Sequence, residues 1–193
     1  MSPLQFAILY GSVRKARQGL KAARFVDDQL RRRGHQTTLV DPMEYQLPLL
    51  DRMYKEFPKG EAPEVLERLA TLYRAADGFV IVSGEYNHGI PPALKNLLDH
   101  FLEEYFWRPS AIVCYSGGSF GGVRAAMQLR MTLAELGMPS IPSLFPVPKV
   151  QDAFEDDGRA KDPAVERRAQ RFLDELEWYA RALQEARAKG TPY

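Results

Sequence analysis

The 193-residue chain has one cysteine and three histidines, so it is poor in the side chains that most often serve as thiol nucleophiles or soft metal ligands. A lone Cys114 excludes a disulfide within the chain, which suits a reducing compartment. It lies in the apolar run Ala111–Tyr115 and reads as a small buried hydrophobe. Metal-ligand spacing, a G-x-S-x-G elbow and a cysteine–histidine pairing are all missing, so metal-assisted and hydrolytic chemistry lack their usual carriers. Charge of one sign is missing too. Lysine and arginine number 26 against 25 acidic residues, the net charge is +1, and both signs are interspersed, which gives no electrostatic case for nucleic acid. No apolar run approaches a membrane span, and the first residues enter a strand without a charged n-region or a long apolar h-region. The expectation is a soluble, cytoplasmic protein with neither nucleic acid nor membrane as partner.

What is present is a regular alternation of strand and helix signals. The stretch Phe6–Gly19 organises the rest: an apolar run ends at Gly11, a turn rich in hydroxyl and basic groups follows, and apolar residues then recur at Leu20, Ala23, Val26 and Leu30. Strands are expected at about 4–10, 37–40, 78–83, 111–115 and within 140–147. Helices are expected at about 17–33, 63–76, 91–105, 121–136 and 163–188. Arg31, Arg32 and Arg33 fall in the last turn of the first helix, before Gly34, and read as a solvated helix end. Residues 41–62, punctuated by Pro42, Pro48 and Pro58, read as a long ordered loop, of the kind that is often functional and can flank a ligand. A hydrophobic fraction of 45% and the absence of repeats or linkers imply one α/β domain over 1–193, with a parallel sheet covered on both faces.

Ligands of such sheets sit at the carboxyl ends of the strands, and three loops there are informative. The first turn offers Gly11, Ser12, Arg14, Lys15, Arg17, Gln18 and Gly19 at a helix start, the make-up of an anion site. It matches neither G-x-x-x-x-G-K-[ST] nor G-x-G-x-x-G, although Asp41 ends the second strand where a ribose-binding acid can sit. A phosphate monoester fits it better, while an ordinary turn with solvated arginines fits it equally well on this stretch alone. The second loop holds Glu85, Tyr86, Asn87 and His88 between glycines, pinned by Pro91 and Pro92. The third holds Ser116, Gly117, Gly118, Gly121 and Gly122, where backbone can approach a ligand closely. His88 reads as solvated or bonded to backbone, and Glu85 as a partner of Lys95 or a helix cap. No acid, base and nucleophile set emerges, so any chemistry belongs to a cofactor.

The turn Gly11-Ser-Val-Arg14, the loop Glu85-Tyr-Asn-His88, the run Pro91-x-x-Leu-Lys-Asn96 and the segment Gly117-Gly-x-x-Gly-Gly122 together resemble the NAD(P)H-dependent FMN reductases, a flavodoxin-like group that includes azo, quinone and chromate reductases. The resemblance spans about residues 4–147. It implies a flavodoxin-like three-layer sandwich with a five-stranded parallel sheet in the order 2-1-3-4-5. It also implies non-covalent FMN at the sheet edge and NAD(P)H as co-substrate. By position, Ser12, Arg14 and Arg17, with the backbone of Gln18 and Gly19, hold the phosphate. Glu85, Tyr86, Asn87 and His88 run along the ring and ribityl chain, and Ser116, Gly117, Gly118 and Gly121 approach the ring. The implied reaction is ping-pong transfer of hydride from NAD(P)H through the flavin to a small acceptor, without a catalytic side chain. The rival readings are a flavodoxin-type electron carrier, usually far more acidic than this chain, and a flavin-free domain on the same fold. Leu102, Tyr105, Phe106 and Trp107 are more apolar residues than the third helix needs for packing on the sheet. With the resemblance, they suggest a homodimer or tetramer with the flavin near the subunit boundary; the alternative is that the loop 41–62 covers them.

Overall fold

Alternate residues of the inner strands face opposite layers, so each strand must be buried twice. In the computed structural model, which describes residues 2–193, five strands are all parallel in the order β2-β1-β3-β4-β5. They are β1 Gln5–Tyr10, β2 Gln36–Val40, β3 Gly78–Ser83, β4 Ser110–Tyr115 and β5 Ser140–Val147. This is the expected sheet. Phe6, Ile8, Tyr10, Val80, Val82, Val113 and Tyr115 point to one layer, where α1 (Gly19–Arg32) and α6 (Pro163–Ala188) supply Phe25, Val26, Leu173 and Leu176. Leu9, Phe79, Ile81, Ile112 and Cys114 point to the other, against α2 (Glu64–Ala75), α3 (Pro92–Asp99) and α4 (Val123–Glu135). Each fully buried Leu, Ile or Phe side chain contributes about 1.5–3 kcal/mol, so the two cores fix the strand order and bring the ends of β1, β3 and β4 together.

Helix ends follow local chemistry. Arg31 and Arg32 pair with Asp27 and Asp28 one turn back, as a solvated helix end should, but Arg33 departs from that expectation: its side chain is largely covered and bridges to Asp174 and Glu177 of α6. Asp162 caps α6 by accepting the Ala164 N–H at 2.8 Å, with Pro163 in the first helical position. Among the described residues no helix is long and apolar enough to cross a membrane.

The elements depart from the expectation at several points. The first helix begins at Gly19 rather than Arg17, because residues 12–18 form the turn itself. The third helix stops at Asp99 instead of reaching Tyr105. Beyond it Leu102 breaks the helical backbone (φ −146°, ψ −70°), and a 3₁₀ turn over Glu103–Tyr105 swings Tyr105 inward against Tyr73 and Phe79. The surplus apolar residues are therefore used within the chain. Tyr105 has 0% exposure, Leu102 packs on the second core, and Phe106 and Trp107 meet the ring of Tyr193. The loop 41–62 contributes Tyr54, from a 3₁₀ turn, against Phe101. Apolar surplus on the third helix thus gives no reason for a second subunit. Finally, a short helix, α5 (Val150–Ala153), follows β5 within a stretch expected to be loop.

Candidate functional site

The carboxyl ends of β1, β3 and β4 surround an open cleft of about 170 Å³. From the first turn come Ser12, Arg14, Ala16, Arg17 and Gln18; from the second loop Gly84, Glu85 and Tyr86; from the third Tyr115, Ser116 and Gly117. Val150 and Gln151 of α5 close the remaining side.

The first turn is built to meet an anion. Ser12 is buried, its Oγ lies 3.3 Å from the Tyr86 hydroxyl, and it accepts the Arg14 N–H at 3.4 Å. Among the described residues, the N–H groups of Lys15, Ala16, Arg17, Gln18 and Gly19 donate to no backbone carbonyl. Gln18 gives the helix no side-chain cap. Of residues 15–19, Ala16, Arg17 and Gln18 line the cleft, which thus lies beside orphan donors and the positive end of the α1 dipole, while Lys15 is exposed outside it and Gly19 is buried. The two arginines differ. Arg14 is exposed and has no ion-pair partner among the described residues. Arg17 donates from Nη1 to Asp41 Oδ1 at 2.6 Å, and the same carboxylate accepts the Met43 N–H at 2.9 Å. Asp41 is therefore committed to the protein. Gly11 lies below the cleft, its N–H bonded to the Val82 carbonyl at 3.1 Å, and Gly19 packs against Tyr115.

In the second loop, Tyr86 and Gly89 exchange two backbone hydrogen bonds (3.1 and 2.9 Å) around Asn87 and His88, whose φ angles are +49° and +66°. Two consecutive left-handed residues make a tight two-residue turn. It aims Tyr86 at Ser12 and leaves Asn87 and His88 exposed, outside the lining of the cleft. Glu85 caps α4: one carboxylate oxygen accepts the N–H groups of Arg124 (2.9 Å) and Ala125 (3.1 Å), and the other meets the Arg124 guanidinium at 3.3 Å. Burial pushes this carboxyl upward, but the three donors outweigh it and hold it below the usual glutamate range. Lys95 pairs with Asp99 instead.

The third loop is tied to the segment after β5. Ser116 N–H donates to the Val147 carbonyl, Lys149 N–H to that of Gly118, and Gln151 Nε2 to that of Gly117. Ser116 and Gly117 face the cleft; Gly118 is exposed, and Gly121 turns away toward Pro146 and Pro148. Gly122 starts α4 at φ +78°, and a β-carbon there would stand 2.6 Å from the Tyr115 carbonyl oxygen. Only glycine fits that crossing.

Sequence reasoning did not single out Tyr115, Gly84, Ala16, Val150 and Gln151, which also line the cleft. Tyr115 ends β4 and Gly84 directly follows β3, so the strand-end rule pointed at both. The four residues of α5 are too few to show a period.

The donor set can be tested against FMN. A phosphate suits the unpaired N–H groups beside Ser12 and Arg14, and a polyol suits the hydroxyls of Tyr86 and Ser116. Among the described residues the one carboxylate lining the cleft, that of Glu85, is already occupied by Arg124 and Ala125. The residues present fit the group.

Comparison with known proteins bears this out at the level of family. The sequence pattern described as NADPH-dependent FMN reductase matches residues 4–152. An NADPH azoreductase from a Bacillus species is 29% identical over 140 residues, 72% of this chain and 74% of that one. A quinone reductase from Pseudomonas putida is 29% identical over 168 residues, covering 81% and 84%. Among solved structures, FerB, a flavoenzyme NAD(P)H:(acceptor) oxidoreductase from Paracoccus denitrificans, shares the fold with a TM-score of 0.73 at 21% identity, covering 94% of this chain and 98% of that one. The chain belongs to the NADPH-dependent FMN reductase family, whose members are FMN-binding, NAD(P)H-dependent oxidoreductases.

Proposed function

We propose that this protein reduces a small acceptor, such as a quinone, an azo compound, free flavin or a metal oxyanion, in a ping-pong sequence at this cleft. The observation that carries the reading is the run of unpaired N–H groups at Ala16, Arg17 and Gln18 beside Ser12 and Arg14, in a cleft whose lining holds no free acid or base among the described residues. FMN held there would supply two-electron redox chemistry between NAD(P)H and the acceptor. The chain's part is to hold and orient. Ser12, Arg14 and the turn backbone take the phosphate; Arg17 frames that end while paired with Asp41. Tyr86 and the backbone around Ser116 and Gly117 flank the ring side, and the Tyr86–Gly89 turn fixes the angle at which Tyr86 enters. Asn87, His88, Gly118 and Gly121 act through the shape of their loops.

A homodimer or tetramer is part of the same proposal, on a different surface from that of the third helix. Met127 and Met131 lie one turn apart on α4, Met131 is 70% exposed, and Gln128 between them is tied to the His88 carbonyl. An apolar face beside the loop of the site supports self-association there. The single buried cysteine is in keeping with a cytoplasmic setting.

Initial rates with NADPH and a quinone both varied test the reaction. Parallel double-reciprocal lines are expected from ping-pong turnover; intersecting lines would mean that both reactants bind together. Sedimentation of wild type and Met131→Asp at micromolar concentration tests assembly, with monomers expected only from the variant.

A further inference from the structure

Gly19 opens α1 without a side chain, and Tyr115 of β4 occupies the vacant place. A β-carbon on residue 19 would lie 2.0 Å from Tyr115 Cζ and 2.4 Å from its hydroxyl oxygen. Gly84, at the end of β3, lies on the other side of the ring, its own missing β-carbon 3.2 Å from the phenol. Two glycines from different loops thus form a slot, and the tyrosine that fills it is 8% exposed yet still lines the cleft. Its hydroxyl end reaches the start of α1, beside the unpaired N–H groups of the turn.

We propose that Tyr115 binds the cofactor directly, its hydroxyl donating a hydrogen bond to the FMN phosphate at the start of α1. It supplies from β4 the donor that a serine or threonine at position 19 would bring from the helix itself. The inference rests on the FMN reading above and adds a residue to it. Two further observations support a donor role. The Tyr10 hydroxyl donates its proton to the Arg17 carbonyl at 3.4 Å, and Ser12 Oγ is shared with Tyr86 and the Arg14 N–H, so Tyr10 meets the Tyr115 hydroxyl as an acceptor and leaves that hydroxyl the donor. Burial, and after it the adjacent Tyr10, push the Tyr115 phenol far above its ordinary range. It therefore stays protonated at neutral pH and never presents a phenolate to a phosphate dianion.

The test is titration of apoprotein with FMN, followed by flavin fluorescence, together with the ³¹P resonance of the bound phosphate. Tyr115→Phe keeps the ring and removes only the hydroxyl. Its FMN dissociation constant is expected to rise about ten-fold, the usual cost of a hydrogen bond to a charged group, and the ³¹P resonance is expected to move. Gly19→Ala, which must push the phenol aside, is expected to weaken FMN similarly, and the double variant no more than the weaker single one. An unchanged constant for Tyr115→Phe, a rise without a ³¹P shift, or multiplying losses in the double variant would overturn the assignment. Wild-type apoprotein that binds no FMN would instead overturn the cofactor reading itself.

Discussion

Arg17 and Asp41 form an ion pair of 2.6 Å whose side chains are only 19% and 13% exposed. The pair divides the labour of the first turn, since the Arg17 charge is largely balanced while that of Arg14 is not. Arg14→Ala is therefore expected to weaken FMN about ten- to a hundred-fold with little change in melting temperature. Arg17→Ala should do the reverse. It leaves Asp41 buried without its cation, costing about 1–3 kcal/mol of stability, and weakens FMN less than Arg14→Ala does. Paired FMN titrations and denaturant melts of both variants decide this. Equal losses of affinity would show that Arg17 releases Asp41 for the phosphate.

Glu85 makes stability depend on pH. Its carboxyl titrates below the ordinary glutamate value because the Arg124 and Ala125 donors outweigh its burial. A depressed value in the folded state means that the charged form contributes stability above the unfolded-state value of about 4.3. That contribution disappears as pH falls through the folded value. Glu85→Gln should cost about 1–2 kcal/mol at pH 7 and progressively less at lower pH, converging with wild type in acid. Urea melts across that range check it, and a difference independent of pH would mean that shape rather than charge matters.

His88 sits at φ +66° in the two-residue turn. A β-branched residue tolerates that backbone poorly, so His88→Val should lose about 1–2 kcal/mol, whereas His88→Gly should be neutral or slightly stabilising. Thermal unfolding of the two variants compares them. If both lose turnover alike while only valine loses stability, the imidazole itself takes part in the reaction.

Cys114 lies between Ile112 and the end of β4 in the second core, and burial pushes its thiol up to about 12. The thiolate is the reactive form, so Ellman's reagent should leave the folded protein unmodified and titrate one thiol per chain in guanidinium. Loss of activity on brief treatment with iodoacetamide would contradict this.

The strand order was legible because each strand announces itself in a short apolar run, such as Gly78–Ser83 or Ala111–Tyr115, and helices separate them. The first turn was legible for a related reason: glycine, hydroxyl and cation follow a strand and precede a helix. Pairing between distant residues was less so. Nothing near Arg17 in sequence tells that Asp41 takes its charge, or that Tyr105 turns inward to Tyr73 and Phe79. The choice for Glu85 between Lys95 and a helix cap depended on where α4 begins, which packing decides through Gly122. Tyr115 escaped attention because a tyrosine at the end of a buried strand looks like core until the absent side chain of Gly19 is seen beside it.

The central claim, electron transfer through FMN held in this cleft, meets its most direct test in anaerobic stopped flow. FMN-loaded protein is mixed with NADPH in the absence of any acceptor, and the visible flavin absorbance is followed before a quinone is added in a second mix. The account predicts complete bleaching of one flavin per chain in the first mix and its full return in the second. Flavin that stays oxidised until quinone and NADPH are present together, or that NADPH never bleaches, would contradict it.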